Sequence, residues 1–138
     1  MSVVGVNGNH PLPSALTCIV VEETYAYITN LVKKGVIMIH VIASVQVKPG
    51  KVSEFLKIFK ANVPLVRAEK GCIQYVPTVD IDADLPPQIM DENVVTIIEA
   101  WESLEALRNH LGAPHMFAYR EKVSGFVENV SLKVLLET

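Results

Sequence analysis

From residue 36 onward the apolar positions of this chain recur with two periods that alternate along it. Over residues 36–47 the period is two: Ile37, Ile39, Val41, Ala43, Val45 and Val47 share one face, while His40, Ile42, Ser44 and Gln46 make a mixed second face, as in a β-strand. Lys48-Pro49-Gly50 turns the chain. The period then lengthens to that of a helix, with Val52, Phe55, Leu56, Phe59, Val63 and Val66 on one stripe suited to packing on a sheet. Pro64 falls inside the stripe, where it removes a backbone donor and crowds the preceding turn, so a kink is expected. Gly71 ends the element. Residues 72–79 read as a second strand and the polar, Pro-containing stretch 80–93 as a loop.

Val94, Val95, Thr96, Ile97 and Ile98 follow as an unbroken β-branched run, apolar on both faces, which predicts a central strand. Ser103 reads as an N-cap with Glu105 in the first turn, and Leu104, Leu107 and Leu111 keep helical spacing until Gly112. Pro114 suits the first position of another helix, marked by Met116, Tyr119 and Val123. The two short helices form an elbow that carries His110 and His115. Val130, Leu132, Val134 and Leu136 alternate in a last strand. The order is β-α-β-β-α-β with the second helix broken, which predicts an α+β, ferredoxin-like sandwich whose helices cover one sheet face. The other face is too apolar for water, so a second copy of the chain is expected to cover it. Upstream, residues 1–14 read as an irregular arm, 16–21 as a short strand, and 22–34 as a helix through Tyr25, Ile28 and Leu31.

Composition narrows the function classes. Half of the 138 residues are hydrophobic and the mean hydropathy is +0.32, ample for one core and consistent with apolar surface buried in a homodimer. The net charge is −3 with basic residues dispersed, which gives no footprint for nucleic acid or anionic lipid. Two cysteines, Cys18 and Cys72, suggest neither a disulfide framework nor a zinc site. No apolar run approaches the ~18 residues of a membrane span, and the first basic residue is Lys33, so a cytoplasmic protein is expected. The spacing of Asp80, Asp82 and Asp84 lacks the Gly and distal Glu of a calcium loop, so no metal site is expected. Flavin, nicotinamide and P-loop fingerprints are also missing.

The stretch EAWESLEALRNHLGAPHMFAYREKV resembles the signature of the antibiotic biosynthesis monooxygenase superfamily, small dimeric ferredoxin-like proteins that form a dimeric α/β barrel. MIHVIASVQVKPG, NVPLVRAEKGCIQYVPTVD and VSLKVL are similar, in order and spacing, to its bacterial branch that oxidises menadiol. The resemblance begins at Met38. It divides the chain into an N-terminal extension, 1–37, and a family-like domain, 38–138. It implies a cofactor-independent monooxygenase acting on a small quinol or polyphenol with dioxygen.

His110 is the leading chemical candidate, since an imidazole can take a proton from a phenolic substrate. The residues alone leave it balanced against a structural histidine; the resemblance places it in the pocket. Resemblance likewise puts the aromatic Trp101 beside the substrate, as a catalytic candidate with His110, and Tyr75, His115 and Ser44 are candidate binding residues. Trp101 ends a central strand and is more often core than site, Tyr75 is similarly balanced, and Glu99 reads as a structural hydrogen-bond or ion-pair partner. His115 lies five residues beyond His110 across a proline, so the two do not form a two-histidine metal pair. The chemistry is within reach without a cofactor: a quinol hydroxyl of pKa ~10 needs ~2.7 kcal/mol to titrate two units lower. A heme-degrading relative is disfavoured, because Ser44 and His110 stand where that branch has Asn and Trp. Two alternatives remain: an enzyme acting on phosphorylated autoinducer-2 products, and a non-catalytic dimeric binding domain.

Overall fold

The computed structural model describes residues 15–34 and 37–138, and within the first helix the side chains of 22–31. The expected arm over 1–14 and the start of the expected strand at Val36 lie outside these residues. The chain divides into two compact units, Met1–Asn30 and Leu31–Thr138. Helix α1 spans Ala15–Lys33. The short strand expected over 16–21 is therefore helical. Its β-branched run suggested strand, but a lone strand leaves its backbone groups unpaired, whereas a helix satisfies them within itself. No helix among the described residues is long and apolar enough to cross a membrane.

The second unit follows the expected order: β1 (Ile39–Val47), α2 (Val52–Arg67), β2 (Cys72–Val79), β3 (Val94–Trp101), α3 (Leu104–Leu111), α4 (Pro114–Val123) and β4 (Val127–Leu136). The strands form one antiparallel sheet in the order β2-β3-β1-β4, the ferredoxin-like arrangement, with β1 and β3 central. The sheet is open. Strict alternation along β1 buries Ile39, Val41, Ala43, Val45 and Val47 beneath the helices and leaves the other face half-covered. From α2, Phe55, Phe59, Val63 and Val66 press onto that buried face, each buried side chain contributing roughly 1.5–3 kcal/mol. Pro64 does not interrupt α2, which continues to Arg67.

Two glycines fix the corners. Gly50 has φ +77° after Pro49, and Lys51 N–H bonds the Lys48 carbonyl at 3.0 Å, the geometry of a type II turn that feeds β1 into α2. Gly71 has φ +85°, and a Cβ there would meet Ala106 Cβ at 2.6 Å. Its carbonyl accepts the Glu102 amide at 2.8 Å, so the turn after α2 is pinned beneath α3. In the 80–93 loop the acidic residues serve the backbone: Asp80, Asp82 and Asp91 side chains accept the amides of Asp91, Asp84 and Asn93.

Candidate active site

Between the sheet and the α3–α4 elbow lies a cavity of about 430 Å³. Ala43 and Val45 of β1, Tyr75 of β2, Ile97 and Glu99 of β3, and Val130 and Leu132 of β4 form its floor. Phe59 of α2, His110 of α3, and Met116, Tyr119, Arg120 and Val123 of α4 enclose it from above. The wall is mostly hydrocarbon with a few polar groups, the usual make-up of a site for a small organic ligand.

Local sequence explains why a histidine points inward. Ser103 caps α3 by accepting the Ala106 amide at 3.1 Å, which sets the phase of the helix. Ala106 and Leu107 then face the sheet, and His110 follows them at i+4 and i+3 on the same face. It is 2% exposed. Its ring lies 4.6 Å from that of Trp101, tilted by 32°, and meets Tyr75 edge-on at 5.4 Å. Gly112 and Pro114 close one helix and open the next, so the elbow forms as the sequence predicts.

Glu69 holds this histidine. It sits in the turn between α2 and Gly71, with its carboxylate oxygens 3.1 and 3.0 Å from His110 Nδ1. The first of these oxygens also takes His115 Nε2 at 2.6 Å, so a single carboxylate joins both imidazoles. A carboxylate only accepts, so each of these nitrogens carries a proton. His110 Nε2 is thereby left as the unprotonated nitrogen, on a ring that lines the cavity. Burial holds the His110 pKa below the ordinary imidazole value and outweighs the opposing pull of Glu69, so the ring is neutral at pH 7.

Glu99 is a second titratable group of the cavity. Burial, assisted by the charge on Glu69, raises its carboxyl to about 6 against the opposing hydrogen bond from Trp101. Trp101 Nε1–H donates to Glu99 Oε2 at 2.9 Å. Burial also pushes the Tyr75 and Tyr119 phenols well above their usual range, so both remain protonated donors. Phe59 stacks on Tyr75 at 5.3 Å and meets Tyr119 edge-on at 5.7 Å, which fixes both rings.

Of the residues expected from sequence, His110 and Tyr75 line the cavity. Trp101 is fully buried and is not among the lining residues; it backs His110 and binds Glu99. His115 lines a separate groove between α2 and α4, and its Nδ1 is buried without a partner among the described residues. Ser44 corrects the expectation made for it. The alternation that puts Ala43 and Val45 into the cavity sends Ser44 to the uncovered face, between Thr96 and Ser131. Glu69 was not foreseen. It lies 41 residues from His110, and only the need of a buried imidazole for a second partner pointed to such a group. Among the described residues no cluster of three or more His, Cys, Asp or Glu side chains is placed to hold a metal ion.

Comparison with known proteins places this geometry in a lineage. Residues 38–122 match the family model described as antibiotic biosynthesis monooxygenase. The probable quinol monooxygenase YgiN of Escherichia coli (strain K12) is 38% identical over 104 residues, covering 71% of this chain and 96% of the relative. Among solved structures, Rv0793 from Mycobacterium tuberculosis superposes with a TM-score of 0.60 at 27% identity, covering 73% of this chain and 95% of that one. PA3566 from Pseudomonas aeruginosa shares the fold with a TM-score of 0.63 at 24% identity, over 74% and 95%.

Proposed function

The chain belongs to the antibiotic biosynthesis monooxygenase family, a family of enzymes, and from that premise we propose that it oxidises a small quinol with dioxygen, using electrons supplied by the substrate. One observation carries the reading: a neutral imidazole, its Nδ1 tied to Glu69 and its Nε2 left unprotonated, lines a largely apolar cavity. Such a group can draw the proton from a quinol hydroxyl as the ring gives up electrons, and Glu69 stabilises the imidazolium that results. Tyr75 and Tyr119 offer O–H donors to the oxygen atoms of substrate. The balance closes without another reductant. Quinol plus dioxygen gives hydroxyquinone plus water: two electrons come from the hydroxyl groups and two from the ring C–H that becomes C–OH.

The phosphorylated-substrate alternative fits less well. Arg120 is the sole Lys or Arg among the lining residues, and its guanidinium already donates to the Leu111 carbonyl at 2.7 Å and lies 5.4 Å from the Phe117 ring. A phosphate dianion would also face Glu99. A second copy of the chain on the uncovered face, where Ile42, Val76, Val94 and Ile98 stand among polar neighbours, completes the proposal as a homodimer.

Oxygen consumption with menadiol, corrected for spontaneous oxidation, tests the reading, and isotopically labelled dioxygen identifies the inserted atom. Turnover with label in the quinone is expected. Binding of menadiol with no oxygen uptake above the spontaneous rate would leave a non-catalytic binding domain. The purified protein is expected to show no flavin or heme absorption; a stoichiometric chromophore would overturn the substrate-only electron supply.

A further inference from the structure

We propose that Glu99 is a second catalytic residue of this cavity, accepting first a hydrogen bond and then a proton from the second hydroxyl of a dihydroxyaromatic substrate whose other hydroxyl faces His110. The proposal rests on the quinol reading above and specifies its substrate class: aromatic diols rather than monophenols.

Glu99 is 6% exposed and lines the cavity floor. A carboxylate has about four acceptor positions. Among the described residues the Trp101 indole is its one hydrogen-bond donor, on Oε2, and no Lys, Arg or His lies within ion-pair distance. A buried charge with so little compensation is costly, and at a cavity such a cost marks a group kept for a ligand. Anchoring Trp101 does not account for the charge, because a neutral acceptor such as a glutamine carbonyl would hold the indole N–H equally well.

The surroundings suit an acceptor. On β2, Tyr75 pairs directly across from Glu99 and Cys72 lies near the strand's start; Glu69 adds a like charge from the turn after α2; His110 of α3 approaches over the shared Trp101. From α4, Tyr119 and Arg120 reach the same cavity, with Arg120 committed to the Leu111 carbonyl. Burial raises Glu99 to about 6, which leaves it ionised at pH 7 with a proton affinity close to that of imidazole. The two hydroxyl protons of a quinol thus have two acceptors, His110 Nε2 and Glu99 Oε1. Both protons end in the water formed from dioxygen, and the four electrons come from the substrate as balanced above.

The test uses Glu99→Gln, which keeps an oxygen for the Trp101 N–H, together with menadiol and its two monomethyl ethers. Trp101 is the single tryptophan of the chain, so anaerobic titrations can be read from its fluorescence, and oxygen uptake follows turnover. The wild-type protein is expected to bind menadiol about tenfold or more tightly than either ether. Glu99→Gln should bring that ratio near one, slow menadiol turnover about 10- to 100-fold and move the acid limb of kcat/KM from near pH 6 to the lower pH at which His110 protonates. A variant with unchanged diol preference and turnover overturns the proposal and leaves Glu99 as an anchor for Trp101. Should the wild-type consume no oxygen, the oxidation reading fails while the titrations still decide whether Glu99 receives a hydroxyl. Absence of menadiol binding to wild-type would remove both.

Discussion

His110 Nδ1 lies 3.0 Å from a carboxylate oxygen of Glu69, a residue 41 positions earlier in a different turn of the chain. This contact makes a buried histidine usable: it selects the tautomer that leaves Nε2 unprotonated on a ring lining the cavity and places a counter-charge where the imidazolium would form. His115 takes the other half of the same carboxylate from the groove side.

Replacing His110 with Ala is expected to lower menadiol-dependent oxygen uptake about 10²-fold or more. Glu69→Gln, which keeps an acceptor but loses the charge, should cost about tenfold, and His115→Ala less than His110→Ala. Equal activity of wild-type and His110→Ala proteins would show that the imidazole does no proton transfer.

Glu99 should carry a stability cost as well as a role. Its folded pKa, about 6, exceeds the ordinary 4.5, so the folded state binds more protons between those values and stability falls as pH rises through that window. Above it the ionised carboxyl costs the fold on the order of 2 kcal/mol. Glu99→Gln should therefore raise the melting temperature at pH 7.5 by roughly 5 °C, and the gain should shrink below pH 5. A variant that melts lower at pH 7.5 would contradict the sign.

His110 acts in the opposite direction. Its folded pKa lies below the unfolded value of 6.5, so its contribution to stability is whole above pH 6.5 and is lost as pH falls through the folded value. In a Glu99→Gln background, where the opposing term is gone, thermal melts should show stability declining on acidification below pH 6.5. A flat profile there would exclude a neutral buried imidazole.

Gly71→Ala should destabilise the fold by about 2–4 kcal/mol, because the backbone is left-handed and the added methyl meets Ala106. Activity should fall with it, since the same turn carries Glu69. Chemical denaturation checks the first effect, and a variant within 0.5 kcal/mol of wild-type would exclude the close packing of this turn against α3.

Sedimentation is expected to show a homodimer at micromolar concentration. Ile98→Asp, a change on the uncovered face at a 37%-exposed position, should halve the mass while circular dichroism stays unchanged. A monomeric wild-type protein would sink the assembly.

A chain shortened to begin at Met38 should remain folded and active, because the sheet, its helices and all cavity-lining residues lie beyond that point. An insoluble product would show that the preceding residues complete the core.

The sequence alone determined what is periodic. Alternation along β1 and β3, the apolar stripe of α2 and the Ser103, Gly112 and Pro114 signals specify local geometry through steric and hydrogen-bonding preferences acting over a few residues, and they sufficed for the α+β order and for the elbow carrying His110. Two things depended on how distant segments meet. The phase of β1 relative to the helix layer decided that Ala43 and Val45 floor the cavity and Ser44 does not, and alternation by itself names two faces without saying which is covered. Glu69 reached His110, and Glu99 became a buried, nearly unpartnered carboxylate, only when sheet and helices closed, because desolvation and ion pairing depend on three-dimensional surroundings that no spacing rule encodes.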